Sequence, residues 1–122
     1  MKEQKMNLHE AMMAQIDYIE LLGQKLAATK AFYEATFGWS FTDFGPQYSA
    51  TEGLAVDVGL DASDEAVKAP LPVIRVSNLE RAAAAVKAAG GVISVPIFGF
   101  PGGRRFHFKD PSGNELAVWC TP

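Results

Sequence analysis

Polar and apolar residues alternate along Ile16–Leu22 (IDYIELL), the two-residue period of a half-buried strand. The period then lengthens. Within Leu26–Phe37 (LAATKAFYEATF) the apolar positions Leu26, Phe32, Tyr33 and Phe37 fall close to the spacing of one helix face. Gly38 stands where a left-handed residue would end that helix. Short strand patterns follow at Trp39–Thr42, Gln47–Thr51 and Leu54–Leu60, punctuated by Gly45-Pro46 and Gly53. The second of these, with Tyr48, reads as an edge strand.

After the acidic, linker-like stretch Asp61–Ala69 the pattern starts again. Leu71–Val76 reads as a strand, and Ser77-Asn78-Leu79-Glu80 has the spacing of a capping box opening a helix. Leu79, Ala82, Ala83, Val86 and Ala89 recur at helical intervals until Gly90-Gly91. Strand patterns return at Val92–Phe98, Arg104–Phe108 and Asn114–Cys120. The last two are joined by Asp110-Pro111-Ser112-Gly113, a tight turn in which Pro pre-sets φ and Gly accepts φ > 0. Sliding one half on the other by about 53 residues superposes Leu26 on Leu79, Gly38 on Gly91 and Tyr18 on Leu71. The tripeptide Leu54-Ala55-Val56 recurs as Leu116-Ala117-Val118. The predicted class is therefore α+β: two βαβββ units related by a pseudo-twofold, with curved mixed sheets enclosing a cleft suited to a small ligand. The expected organisation is a tail over 1–14, a first unit over 15–60, a linker over 61–69 and a second unit over 70–122. Met12 and Met13 offer alternative translation starts.

Composition narrows the partners. The chain of 122 residues suits one domain. No apolar run approaches a membrane span of about 20 residues. The net charge of −3, without a basic stripe, argues against nucleic acid. The single Cys120 fits a cytoplasmic protein and reads as an inert strand residue. Phe98–Arg105 (FGFPGGRR) invites comparison with a phosphate loop, but no GxxxxGK[ST] is present and no helix follows, so it reads as a hairpin. Arg104 and Arg105 alternate sides, so at most one of them faces a ligand.

The pieces AFYEATFGW and FHFKDPSGNELAVW, in this order and inside a paired βαβββ pattern, resemble the vicinal oxygen chelate superfamily of glyoxalases, bleomycin resistance proteins and extradiol dioxygenases. The resemblance runs from about Gln15 to Cys120. It implies the fold above, and in many members a divalent metal held by His and Glu on the first and last strands of each unit. Carried over one at a time, those positions fall on Tyr18, Ala55, Leu71 and Ala117. Ala and Leu cannot ligate, and a neutral phenol is a poor ligand alone. The histidines are only His9, in the tail, and His107, ahead of the DPSGN turn and read as a strand residue satisfied by a neighbour or by solvent. No metal and no cofactor are expected.

If these positions face the cleft, their neighbours two residues away do as well. The expected ligand-binding set is Tyr18, Glu20, Asp57, Arg75 and Trp119, with Tyr48 a weaker candidate. Glu20 and Asp57 are the candidates for acid–base work, and with Arg75 they could equally form a structural ion-pair cluster. Three functions compete. The chain binds a small organic molecule in a metal-free cleft, as the antibiotic-sequestering branch does. It is a glyoxalase-type lyase or isomerase, or a dioxygenase-like enzyme. It is a non-catalytic structural or regulatory dimer. A homodimer is expected in each case.

Overall fold

A computed structural model of the chain describes residues 12–122. Residues 1–11 of the expected 1–14 tail, with His9, lie outside the described residues. The chain forms two compact units, Asp17–Pro72, and Val73–Pro122 joined by the described residues up to Ile16. Both are α+β and both follow the order strand, helix, three strands, as the alternating periods predicted.

In the 17–72 unit, β1 (Gln15–Leu22) leads into α1 (Leu26–Phe37), then β2 (Phe41–Asp43), β3 (Tyr48–Thr51) and β4 (Asp57–Asp61). The sheet order is β2-β3-β4-β1. The first two neighbouring pairs are antiparallel and β1 runs parallel to β4, with Tyr18 opposite Asp57 and Glu20 opposite Gly59. Tyr48 therefore lies on an interior strand, and β2 takes the edge expected for it. Gly38 ends α1 in the left-handed region at φ 72°, its N–H donating to Glu34 O at 3.0 Å. The apolar stripe read along α1 is not buried: Phe32 and Phe37 are 58% and 61% exposed, and no residue of the helix is buried. Tyr33 turns to the sheet, against Phe41, and it stacks on Trp39 at 5.2 Å. Lys30 adds a polar tether to Asp43 at 2.6 Å.

The third strand of this unit starts later than its pattern suggested. Leu54–Val56 lie in a bend, because Gly53 turns the chain at φ 95° and the Asp57 carboxylate accepts the Leu54 N–H at 3.0 Å. Ala55 is thus exposed and outside β4. The stretch after β4 is tied down where it begins, Ala62 N donating to Gln47 O at 2.8 Å and Ser63 N to Asp61 Oδ1 at 2.9 Å.

In the 73–122 unit, β5 (Leu71–Arg75) precedes α2 (Leu79–Ala88), followed by β6 (Val92–Phe100), β7 (Gly103–Lys109) and β8 (Glu115–Cys120). The order is β5-β8-β7-β6, with β5 parallel to β8 and the remaining pairs antiparallel. Asn78 caps α2, its Oδ1 accepting the Arg81 N–H at 3.0 Å, so the cap stands one residue after the Ser77 expected from the capping-box spacing. Glu80 turns instead to Arg104 in a two-pronged ion pair. Met12, Val76, Leu79, Ala82, Phe106, Val118 and Cys120 form the core on the helix-covered face. Phe100 and Gly103 pair across Pro101-Gly102, so FGFPGGRR is the expected hairpin, with Gly102 at φ 125°. A Cβ at Gly103 would overlap the Cys120 carbonyl oxygen, which explains why glycine stands where β7 meets the end of β8.

Candidate functional site

Each sheet has one face against its helix and one face away from it, and the predicted site residues lie on the second. In the 17–72 unit, α1 reaches Phe41 and Asp43. Period-two alternation and the strand register then place Tyr18 and Glu20 of β1, Tyr48 of β3 and Gly59 of β4 on the opposite face. The Tyr18 and Tyr48 hydroxyls are hydrogen-bonded to each other, and Tyr48 Oη donates to Glu20 Oε2 at 3.4 Å. With the Tyr48 proton committed to Glu20, the proton between the two phenols comes from Tyr18. The result is a directed chain, Tyr18 to Tyr48 to a carboxylate that is only 9% exposed. A Cβ at Gly59 would overlap both hydroxyl oxygens and lie 2.8 Å from Tyr18 Cζ, so glycine makes the space in which the phenols meet. Glycine inside a strand is the sequence signal of such a close approach, and DVGLD displays it.

Asp57 shares that face by register, but its carboxylate is turned into the β3–β4 loop. Oδ1 accepts from Thr51 Oγ1 at 2.8 Å and from Leu54 N at 3.0 Å, and Thr51 Oγ1 in turn accepts the Val58 N–H at 2.9 Å. These bonds hold the start of β4.

In the 73–122 unit, the face away from α2 carries Arg75, Trp119 and residues the sequence reading did not assign. Trp119 is the register partner of both Arg75 on β5 and Arg105 on β7. The Arg75 guanidinium lies 5.3 Å from the Trp119 ring centre, and Phe100 lies 6.2 Å from Trp119. Arg105 sits 5.7 Å from the Phe98 ring and 6.0 Å from that of Phe100. Its Nε and Nη2 approach His107 Nε2 at 3.2 and 2.9 Å, and His107 Nδ1 lies 3.0 Å from Glu115 Oε2. Since Arg can only donate, His107 accepts at Nε2 and carries its proton on Nδ1, toward Glu115. His107 is therefore satisfied by its neighbours, as its place ahead of the turn suggested. Arg104 and Arg105 do lie on opposite faces. Alternation alone marks Arg105 for this face and sets His107 beside it two residues on, but its ring partners come from across the hairpin.

The metal positions implied by the resemblance can be checked against this register. Tyr18 lies in the hydroxyl chain and Ala55 in the bend before β4. Ala117 pairs with Val73, and Glu20, which the 53-residue offset superposes on Val73, pairs with Gly59. The counterpart of Ala117 is thus Gly59 rather than Ala55, and neither can ligate. Among the described residues no three His, Cys, Asp or Glu side chains stand together to hold an ion. This donor set does not fit the superfamily's metal.

The sequence model of the glyoxalase/bleomycin resistance protein/dioxygenase superfamily matches residues 15–118. No curated protein matches in sequence. Among solved structures, methylmalonyl-CoA epimerase from Mycobacterium tuberculosis is similar at TM-score 0.69 and 14% identity, over 92% of this chain and 90% of that one. The Mn(II)-bound glyoxalase from Novosphingobium aromaticivorans is similar at TM-score 0.65 and 21% identity, over 86% of this chain and 38% of that one. An extradiol ring-cleaving dioxygenase from B. fuscum is similar at TM-score 0.66 and 20% identity, over 87% and 32%. At these identities the likenesses establish the fold. Among the described residues no helix is long and apolar enough to cross a membrane.

Proposed function

For a chain that belongs to the glyoxalase/bleomycin resistance protein/dioxygenase superfamily, we propose metal-free binding of a small organic molecule on the sheet faces turned from the helices. What supports this reading is that the positions where the resemblance implies ligating side chains hold Tyr18, Gly59, Leu71 and Ala117, next to polar and aromatic groups suited to an organic ligand. Tyr18, Tyr48 and Glu20 offer a hydroxyl–carboxylate chain in one unit, and Arg75 and Trp119 a cation and a ring in the other. Asp57 belongs to the proposed set by its face, although its present bonds are structural.

The test is a thermal-shift panel of small organic molecules, with and without chelator, alongside metal analysis of the purified protein. A ligand-dependent rise in Tm that survives chelator is expected, since a ligand selective for the folded state stabilises by mass action. A stoichiometric metal whose removal lowers Tm would sink the reading.

A second reading has one observation in its favour. The directed chain from Tyr18 through Tyr48 to Glu20 can carry a proton, as a glyoxalase-type lyase or isomerase requires. Solvent-deuterium exchange into an α-hydroxyketone, absent in Glu20→Gln, would favour it over simple binding. We also infer a cytoplasmic homodimer, supported by the exposed Phe32 and Phe37 of α1 and by the lone Cys120. A monomer in sedimentation equilibrium at micromolar concentration would overturn the dimer.

A further inference from the structure

The binding reading above leaves the ligand's charge open, and the surroundings of Arg75 bear on it. Arg75 ends β5 with an exposed side chain. Its guanidinium is held over Trp119 at 5.3 Å, and it makes no ion pair among the described residues. An aromatic ring holds a flat cation through the negative potential of its face. It supplies no oxyanion, so the in-plane N–H edge of the guanidinium keeps its donors.

Neighbouring arginines are used differently. Arg104 has its fork filled by Glu80. Arg105 directs Nε and Nη2 at His107. The carboxylate nearest along β8, Glu115, is taken up by His107 Nδ1. It lies four residues from Trp119, roughly 13 Å along a strand, too far to neutralise a cation stacked there. Beside Arg75 the same face continues as rings, from Trp119 to Phe100, 6.2 Å apart, and on to Phe98, which is 39% exposed.

We propose that the molecule bound on this face is an organic anion with a flat apolar body. Its carboxylate lies in the fork of Arg75 and its body lies against the rings that begin at Trp119. This rests on the small-molecule-binding reading and adds the charge and shape of the ligand. A planar two-oxygen anion matches the guanidinium fork bidentately. Arg75 is the specificity-determining contact, and the rings supply affinity common to any flat molecule.

The test uses three probes with one ring system: 2-naphthoate, 2-naphthylmethanol and 2-naphthylmethylamine, titrated calorimetrically into the full chain. 2-Naphthoate is expected to bind at least about tenfold more tightly than the other two, the size of one charge-assisted contact. Arg75→Gln should remove that preference and leave the alcohol's affinity unchanged, with Arg75→Lys between the two. In a Trp39→Phe background the remaining indole N–H resonance should move on binding. The Tm of Arg75→Gln, a change at an exposed position, checks that the fold persists. Equal or tighter binding of the amine or the alcohol, or an unchanged 2-naphthoate affinity in Arg75→Gln, overturns the anion proposal while the broader reading stands. Failure of all three probes also overturns it, and the broader reading is then judged by the thermal-shift panel alone.

Discussion

Gly59→Ala places one methyl group where the Tyr18 and Tyr48 hydroxyls meet. The new Cβ would overlap both oxygens and approach Tyr18 Cζ to 2.8 Å. Relief requires both phenol tips to withdraw by about 1 Å, which a packed site resists, and overpacking of this kind costs about 1–3 kcal/mol. Loss of the bond between the hydroxyls adds to that, about 0.5–1.5 kcal/mol. Against these stands a gain of about 0.4–1 kcal/mol from a less flexible unfolded chain, since Gly59 is outside the positive-φ region. The net expectation is a loss of about 2 kcal/mol, read as a lower urea midpoint at unchanged slope. Tyr18→Phe with Tyr48→Phe removes the two oxygens that the methyl meets. In that background Gly59→Ala should cost at least about 1 kcal/mol less than in the wild type, a coupling well above the additivity limit. Equal costs in both backgrounds would refute the account of Gly59 as the space-maker for the hydroxyl pair.

Gly103→Ala sets a Cβ on the Cys120 carbonyl oxygen, a backbone atom that cannot swing aside. It should cost more than Gly59→Ala, with amide exchange rising first along β7 and β8. Asn78→Ala removes the acceptor for the Arg81 N–H and should cost about 1 kcal/mol by chemical denaturation. Beside α2 lies an open apolar groove of about 340 Å³, lined by Ala82, Ala85, Val86, Ile74 and Phe108 among others. Ala85→Leu should cover part of it and raise stability by about 0.5–1 kcal/mol, the partial burial of three carbons less the lost rotamer freedom. A fall in Tm for that variant would show that the wall cannot accept the side chain.

What could be read from the chain, and what could not, follows from the range of each physical signal. Both helices were legible because their apolar period differs from the strand period on either side, and Leu26–Phe37 was found with the predicted ends. The faces carrying Tyr18 and Glu20 in one unit and Arg75 in the other were legible because alternation is local. Register is not local. The recurrence of Leu-Ala-Val suggested that Ala55 matches Ala117, yet the ladder between β1 and β4 pairs Glu20 with Gly59. The meeting of Tyr18 with Tyr48, thirty residues apart, depends on that ladder and on the missing Cβ of Gly59. Helical period likewise predicted an apolar stripe on α1 but not whether a surface would cover it.

That uncovered stripe separates the two units in how they hold their helices, despite their shared order of elements. Leu79 and Ala82 are buried under α2, so apolar burial docks it, a force that pH barely touches. By contrast α1 buries none of its residues, and a polar link ties it to the sheet, Lys30 to Asp43 at 2.6 Å, with Ser49 Oγ donating to the same carboxylate oxygen. Lys30 first, and Ser49 second, hold the Asp43 carboxyl below its ordinary value. A carboxylate with a lowered folded-state pKa contributes stability that is present above its unfolded value and lost as pH falls through the folded one. Protonating Asp43 therefore loosens α1 and leaves the docking of α2 in place. Amide exchange followed from neutral pH down toward pH 3 should show protection falling in α1 before α2, and Asp43→Asn should give the low-pH pattern already at neutral pH. If α2 opens first, or if Asp43→Asn leaves α1 as protected as in the wild type, then the packing of Tyr33 on Phe41 and Trp39 holds α1, and the carboxylate link is incidental.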